Sequence, residues 1–544
     1  MIFLPARRPI KAKAEKWWYI PPDCIVTFEI RIYCLMAGEF QYIIFPAEAE
    51  AFVEFLADLD YDCYGKEQWY KQHSYLDKLN MQVNLSSFAV ASARSGSDEF
   101  VKEFIISHQK VGFLIRDLVA TELWHRKIFK RLMKCLPENL PTFPLYVTLY
   151  HELVLANILE TVTYHTDVVD CLNDDAVDLC DWCHRALCRL ANAVSIKEKK
   201  ANIRILKDQP KPSETNKEEL QRQTDIFTYE VGMKAISLTR HLIEHCCGVY
   251  ADTVASSTTM ALSMARRLLH THDFLCLLCH LIELAPWSCE EATTSMRPLR
   301  YQWHESGCWV SETDEKNWTS VTKSEGQVWL SIHQLLFSGV MGVVSYEVVG
   351  SSVRRQALLR LRPFLTEALI DVIPVLGHLR RFLEEFAVSE VAAVARSVSA
   401  VSSAAAVAQL CHIEDVPQIH DGILHRYKGR WDEEVSDFLE RIQLKENAEA
   451  AQRAASRWAE AFSEETVDAL FGSTGSGNAN GHGDSEAVFE HPLLRTPRCV
   501  ICGEVATKRC SRCRQEWYCR RQCQVKHWPR HKRACDMLFA SNTD

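Results

Sequence analysis

The stretch that decides the architecture of this chain is CVICGEVATKRCSRCRQEWYCRRQCQVKHWPRHKRAC, residues 499–535. Its seven cysteines and one histidine follow the spacing Cys-x2-Cys-x7-Cys-x2-Cys-x5-Cys-x3-Cys-x7-His-x3-Cys. The candidate ligands are Cys499, Cys502, Cys510, Cys513, Cys519, Cys523, His531 and Cys535. Zinc takes four such ligands in a tetrahedron, so eight ligands fill two closed sites with none left over. Because a closed site leaves no position for water, the pattern predicts two structural zinc ions and no catalytic one.

One further histidine competes for the same role. Neutral imidazole at either His527 or His531 can bind zinc, but only His531 gives the x7 and x3 spacings. Pro529 lies between them and is expected to bend the helix that carries both. A segment this short has little core of its own, so metal binding must supply much of its folding free energy, on the order of 10 kcal/mol per site. Without zinc we expect the segment to be unfolded.

The spacing resembles that of the MYND-type zinc finger. The match covers all eight ligands and extends to Tyr518, Gln524, His527 and Trp528. The resemblance, and not the spacing, implies that the two sites interleave. The first implied set is Cys499, Cys502, Cys519 and Cys523, and the second is Cys510, Cys513, His531 and Cys535.

The resemblance also implies a use, because MYND fingers typically bind short proline-containing peptides from partner proteins. The matched groove positions are Gln524 and Trp528, which lie four residues apart and so on one helix face. An exposed tryptophan offers a flat platform for proline, and the glutamine amide can fix the peptide backbone. The alternative is that Trp528 forms the core of a very small fold, and one tryptophan can do both.

The rest of the chain has the composition of an ordinary folded protein, with 47% hydrophobic and 24% charged residues. From about residue 45 to 471 the apolar spacing is helical. Pro144 to His165 carries a leucine-rich stripe, and Leu358 to Phe386 reads as two or three packed helices. No clean repeat period is present. The prediction is a mainly α fold, an irregular helical array resembling an α-solenoid, with a small C-terminal two-zinc finger.

Two segments fall outside these folded units. Residues 1–44 fit no regular pattern, because Pro5, Pro9, Pro21 and Pro22 interrupt them, and the sequence leaves open whether they are an N-terminal extension, a gene-model artefact or a domain. Residues 472–490 begin with a Gly/Ser/Asn-rich run and are predicted to be a flexible linker that lets the finger move relative to the helical body.

Several other features invite a binding site and are predicted to be core instead. Cys180-x2-Cys183-His184 and Cys276-x2-Cys279-His280 have the letters of a covalent haem site, but both lie in apolar helical stretches. Buried cysteine behaves as a small apolar residue. Trp329 lies in an amphipathic helical stretch, where core packing is the usual role.

Charge is divided unevenly along the chain. Residues 498–535 hold 11 Lys and Arg against two acids, or +9, whereas the rest of the chain carries −18. A basic tail can bind nucleic acid or acidic protein, but solubility of a small zinc module is the favoured interpretation, and nucleic acid is not expected. No apolar run follows the basic N-terminus and no membrane span is evident, so a protein of the cytosol or nucleus without membrane contact is predicted.

No enzyme motif is present. The chain lacks a phosphate-binding glycine loop, Gly-x-Ser-x-Gly, His-Glu-x-x-His and a dinucleotide fingerprint. SET-type methyltransferases also contain MYND fingers, but they place the finger inside the catalytic region and carry an Asn-His-Ser-Cys run, which is absent here. The chain is therefore predicted not to be an enzyme.

Beyond the finger, several stretches resemble a family of MYND-finger proteins that act as axonemal dynein assembly factors. They are Leu76–Gln82, Thr142–Pro144, Gly326–Trp329, Leu358–Leu383 and Gly429–Trp431. The resemblance implies a non-enzymatic, co-chaperone-like adaptor for cytoplasmic preassembly of axonemal dynein arms, and so for motile cilia, located in the cytoplasm and near the ciliary base. The implied partners are other assembly factors including a leucine-rich-repeat protein, chaperones of the heat-shock class, and dynein chains as clients. The rival interpretation is a nuclear transcriptional corepressor adaptor that uses the same finger.

Overall fold

The structure of the protein is a computed structural model, which describes part of the chain. The described ranges are 44–91, 100–136, 142–194, 214–251, 263–291, 299–304, 309–312, 320–338, 351–388, 416–461, 508–510 and 517–540, with the single positions 140, 341, 344, 346, 348 and 501. The predicted extension and linker, residues 1–44 and 472–490, lie outside them except for Ile44.

The body is helical, as predicted. Its first half contains α1 (Pro46–Phe55), α2 (Glu67–Ala91), α3 (Phe100–Ser107), α4 (Val111–Trp124), α5 (Lys130–Cys135), α6 (Phe143–Val162), α7 (Thr166–Asp170), α8 (Asp175–Ala193) and α9 (Asn216–Ala251). A 3₁₀ turn at Tyr61–Cys63 precedes α2, and a π-helix at His125–Phe129 joins α4 to α5.

The second half of the body continues the helical array. It contains a π-helix at Arg267–Thr271, α10 (Phe274–Leu284), α11 (Lys323–Phe337), α12 (Ser352–Leu359), a 3₁₀ turn at Arg362–Phe364, α13 (Glu367–Val372), α14 (Leu376–Val388), α15 (Ile419–Arg426), α16 (Trp431–Gln443) and α17 (Lys445–Ala461). The stretch predicted as two or three packed helices is thus α12 to α14.

The centre of the body is α6, which is buried along nearly its whole length between α2, α4 and α9. Pro144 sits in its first turn, where the missing N–H costs no hydrogen bond. The predicted leucine stripe is buried: Leu145, Leu149, Leu153, Ala156 and Leu159. The neighbouring α9 packs on α6, α8 and α11. It begins at a capping box, because Thr215 and Glu218 exchange side-chain and backbone hydrogen bonds of 2.9 and 3.3 Å.

The helical prediction is wrong for residues 288–312. There the chain forms an antiparallel sheet in the order β1 (Ser288–Glu291), β2 (Leu299–Trp303), β3 (Trp309–Glu312). The reason is local, since Leu299 to Trp303 alternates apolar and polar residues with the period of a strand. The sheet packs on α9 through Tyr229, whose ring contacts Trp303 and Trp309.

The last three helices of the body return to its first helices. Helix α15 contacts α4 and α8, α16 contacts the 3₁₀ turn and the first π-helix, and α17 contacts α2 and α6. Arg441 donates hydrogen bonds to the carbonyls of Tyr61 and Tyr64, at 2.7 and 3.2 Å. Trp458 Nε1 donates to Asp77 at 3.1 Å. These contacts join parts of the chain that an open solenoid would leave apart.

The predicted core residues lie in the core. Cys180, Cys183, Cys279 and Trp329 are buried, and Cys276 is half-buried. Burial raises the pKa of both Cys183 and Cys276 to about 12, so these thiols stay protonated at neutral pH. The two Cys-x2-Cys-His sequences are therefore explained by cysteines that pack in the helical core, and not by haem attachment. None of the described helices is both long and apolar enough to cross a bilayer.

Candidate metal centre

The C-terminal segment is a short hairpin followed by one helix. Strands β4 (Lys508–Arg509) and β5 (Trp517–Tyr518) pair antiparallel, and α18 spans Arg521–Ala540. Cys510 directly follows β4, and Cys519 directly follows β5. Along α18, residues 523, 527, 531 and 535 are spaced by four. Cys523, His531 and Cys535 are predicted ligands, and His527 lies between the first two. Because residues four apart share a helix face, this spacing aims those side chains at the hairpin.

Three predicted ligands of the second site meet in one buried cluster. Cys510, His531 and Cys535 are each at most 2% exposed, and their ligand atoms all lie within 4.8 Å of one another. The Sγ atoms of Cys510 and Cys535 are 3.8 Å apart, and Nε2 of His531 is 3.4 Å from Sγ of Cys510. A tetrahedral zinc with Zn–S of about 2.3 Å and Zn–N of about 2.0 Å gives edges of about 3.8 and 3.5 Å. The donor set therefore fits a zinc ion in both chemistry and spacing.

Two predicted ligands of the first site also lie together. The Sγ atoms of Cys519 and Cys523 are 3.6 Å apart, again close to a tetrahedral edge. Neither of these cysteines forms a disulfide, and neither do Cys510 and Cys535. The remaining predicted ligands, Cys499, Cys502 and Cys513, lie outside the described residues. Cys510 and Cys535 both belong to the second implied ligand set, and Cys519 and Cys523 both belong to the first.

The competing histidine has a different partner. Nδ1 of His527 lies 2.9 Å from the hydroxyl of Tyr518, and its ring stacks on that of His531 with centroids 5.4 Å apart. The cluster of possible ligands contains His531 and not His527. Burial, together with the neighbouring His527, lowers the pKa of His531 to about 4. Its imidazole is therefore neutral at neutral pH, as a zinc ligand must be.

The predicted groove residues lie on the same helix, beside the ligand face. Trp528 is half-buried and packs against the small core of Cys510, Tyr518 and Cys535, and Gln524 is half-buried one turn earlier. The tryptophan therefore has a core role and still presents part of its ring. Pro529 lies inside α18, which continues past it to Ala540. The sequence interpretation missed Val525, which is 64% exposed. The one feature of the sequence that could have drawn attention to Val525 is that it is an aliphatic residue in a basic segment, three positions before Trp528.

A second polar cluster lies in the body. Nδ1 of His73 is 2.8 Å from Nδ1 of His151, whose Nε2 is 3.0 Å from Asp117. Burial lowers the pKa of His73 well below its usual value. Both histidines are less than 5% exposed, so this chain of contacts lies inside the bundle.

Comparison with known proteins agrees with the geometry of the C-terminal segment. The MYND finger family matches residues 499–535, which run from the first to the last predicted ligand. Residues 499–535 are a MYND finger. A MYND finger binds zinc, and the Cys510, His531 and Cys535 cluster gives that zinc a structural basis in this chain.

The similarity to known proteins extends over most of the chain. It is 27% identical, over 501 residues, to the zinc finger MYND domain-containing protein 10 homolog of Drosophila melanogaster. The matched region covers 90% of this chain and 98% of that relative. The matched region therefore includes most of the helical body of this chain. No solved structure matches the chain.

Proposed function

We propose that this protein is a non-enzymatic adaptor in the cytoplasmic preassembly of axonemal dynein arms. Support comes from the similarity to the Drosophila protein, which spans both the body and the MYND finger. The stretches from Leu76–Gln82 to Gly429–Trp431 support the same assignment by their resemblance to dynein assembly factors. In this proposal the protein acts in the cytoplasm and near the ciliary base. It works with other assembly factors, including a leucine-rich-repeat protein, and with heat-shock-class chaperones.

The MYND finger holds two structural zinc ions in this proposal. Cys499, Cys502, Cys519 and Cys523 hold one ion, and Cys510, Cys513, His531 and Cys535 hold the other. Zinc fixes the hairpin onto α18, and no ligand position remains for a reacting molecule. The finger therefore supplies a rigid surface and performs no chemistry.

That surface recruits a proline-containing peptide of a partner protein. Gln524 and Trp528 are each half-buried on neighbouring turns of α18, so part of each side chain is accessible. A partly exposed indole ring suits proline, and an amide side chain suits a peptide backbone. Recruitment by a finger tethered to the body raises the effective concentration of the partner near a client.

The body is proposed to hold the client, an unfinished dynein chain. Five of the exposed large apolar residues fall within α12 to α14 and the turns between them. They are Val353, Phe364, Val372, Val375 and Val388. An exposed apolar patch marks an interaction surface when its side chains are contiguous, and these five residues lie close together in the sequence. A client with unburied apolar surface is the partner that such side chains suit.

A pull-down from ciliated cells tests the recruiting role. It compares the intact chain with Trp528→Ala, Cys510→Ala and the control Cys135→Ala, an exposed cysteine outside the finger. We expect Cys510→Ala to unfold the finger, Trp528→Ala to keep zinc and lose one partner, and Cys135→Ala to keep all partners. Retention of every partner by both finger variants would refute recruitment by the finger.

Loss of the gene separates this proposal from the corepressor alternative. Immotile cilia that lack dynein arms, with unchanged dynein transcripts, would support assembly. A fall in dynein transcripts would support transcriptional control instead.

A further inference from the structure

One exposed stripe of α18 is not explained by zinc binding. Arg521, Val525, Trp528 and Lys532 are spaced by four, three and four residues, so they line one side of the helix. The zinc ligands on α18 project from a neighbouring face, at Cys523, His531 and Cys535. The stripe is therefore free to serve a partner while the metal sites stay closed.

The centre of the stripe is apolar. Val525 is 64% exposed, and it is the one large apolar side chain of the finger that is exposed among the described residues. Trp528 lies one turn further on and is half-buried. An exposed valine beside a partly exposed tryptophan gives two adjacent apolar contact points on a module that is otherwise strongly basic.

Each end of the stripe carries a cation. Arg521 and Lys532 are both exposed, and neither forms an ion pair with another described residue. They lie eleven residues apart, which at the α-helical rise is about 16 Å. From Trp517 to Cys535 the chain holds no acidic residue, and the one acid in the sequence of α18 is Asp536, four positions after Lys532.

Pro529 adds a hydrogen-bond acceptor to the same region. It lies inside α18 and is exposed. Proline has no N–H, so the carbonyl of Val525 lacks the donor that usually comes from four residues ahead. That carbonyl can accept a hydrogen bond from the backbone N–H of a bound peptide.

We propose that this stripe docks an extended peptide whose apolar, proline-containing centre is bracketed by two acidic residues. In the polyproline II conformation that proline favours, two acids about five positions apart span about 16 Å, which matches the separation of Arg521 and Lys532 along α18. The inference rests on the proposed peptide-recruiting function of the finger and adds the charge pattern of the partner. Trp528 could stack on a base as well as on proline, and the exposed aliphatic side chain of Val525 beside it is the feature that favours an apolar peptide.

The test measures binding of fluorescent peptides to the zinc-loaded full-length chain by anisotropy. Three peptides share the core Leu-Pro-Leu-Pro and differ at both ends, which carry glutamate, glutamine or lysine. The variant Arg521→Glu/Lys532→Glu reverses both cations, and Lys526→Glu is the matched control, since Lys526 is exposed on a different side of α18. We expect the double variant to weaken the glutamate peptide about tenfold, because two attractive pairs become repulsive. It should also bind the lysine peptide more tightly than the unmodified chain does, and the control should change either affinity less than about twofold.

The outcomes separate this inference from the function on which it rests. Equal binding of all three peptides by the unmodified chain would overturn the proposed preference for two flanking acidic residues, and would leave peptide recruitment by the finger intact. Failure to bind any of them would count against both. A mixed-sequence single-stranded oligonucleotide that binds more tightly than the glutamate peptide would make the stripe a nucleic-acid surface and would also overturn the proposal. Added salt should reduce the preference for glutamate, because exposed charges are screened.

Discussion

Replacing Asp178 by asparagine should loosen the attachment of α15 to the body. Asp178 lies on α8 and is 2% exposed. Its carboxylate accepts hydrogen bonds from three successive backbone N–H groups at the start of α15. These are Gln418 at 2.9 Å, Ile419 at 3.2 Å and His420 at 3.2 Å. Asp178 thus caps a helix that lies 240 residues further along the chain.

The magnitude follows from which bonds an asparagine can keep. Its amide oxygen can still accept from Gln418 and Ile419, but both bonds lose the charge, at a cost of about 0.5–1 kcal/mol each. Its NH₂ group then faces the N–H of His420, which is left unsatisfied at a cost of about 1–3 kcal/mol. The sum is about 3 kcal/mol, or roughly a hundredfold in the equilibrium for opening α15.

Native-state hydrogen exchange measures that opening directly. We expect the protection of Gly422 and Tyr427, whose amides bond within the first and last turns of α15, to fall about a hundredfold in Asp178→Asn. The control is Asp421→Asn, which removes a carboxylate that is 64% exposed in the first turn of the same helix. Its effect should stay below about fivefold, since it removes only an exposed charge near the helix start and weakens one contact of 3.1 Å with Nδ1 of His420. If the two variants exchange alike, long-range capping by Asp178 is not what holds α15.

Two further predictions concern burial and close packing in the body. Burial raises the pKa of the Asp77 carboxyl to about 6, although hydrogen bonds from Trp458 and Tyr150 act in the opposite direction. The folded state therefore favours the protonated carboxyl. The stability that this gives is fully present below pH 3.8 and is lost as the pH rises through 6. The asparagine of Asp77→Asn can keep both partners. Urea unfolding should therefore show the variant more stable at pH 7, by up to about 3 kcal/mol, and little changed at pH 4. The same dependence of the unfolding free energy on pH in both proteins would contradict this. A Cβ at Gly232 would lie 2.7 Å from Cβ of Leu190, whereas one at Gly422 meets nothing within 4 Å. In the same unfolding assay, Gly232→Ala should lower the free energy of unfolding by about 1–3 kcal/mol, and Gly422→Ala should raise it by about 1 kcal/mol. The opposite order would contradict the close packing at Gly232.

The sequence predicts the helices of the body well where one apolar stripe is long. The stripe from Leu145 to Leu159 lies in α6, whose bounds differ from the predicted ones by a few residues. The sheet at residues 288–312 was missed because its alternating stretch, Leu299 to Trp303, is only five residues long and stands among helices. The contacts of Asp178 and Arg441 could not be predicted, since their partners lie 240 and 380 residues away and depend on how the whole body closes.

In the finger, ligand spacing predicts which residues bind zinc but not which residues share an ion. Spacing alone selects the eight ligands, because zinc demands fixed numbers of sulfur and nitrogen donors. It does not give their assignment to two sites, which came from resemblance to the family. The structure adds the separation of the Cys510, His531 and Cys535 cluster from the Cys519–Cys523 pair. It also adds the exposure of Val525, which depends on which face of α18 meets the hairpin.

Zinc content per chain tests the central claim most directly. Elemental mass spectrometry of the purified full-length protein, after removal of loosely held metal, should find two zinc ions per chain, and the Cys135→Ala control should match it. Fewer than two tightly held ions per chain would contradict an account in which metal is the scaffold of the finger.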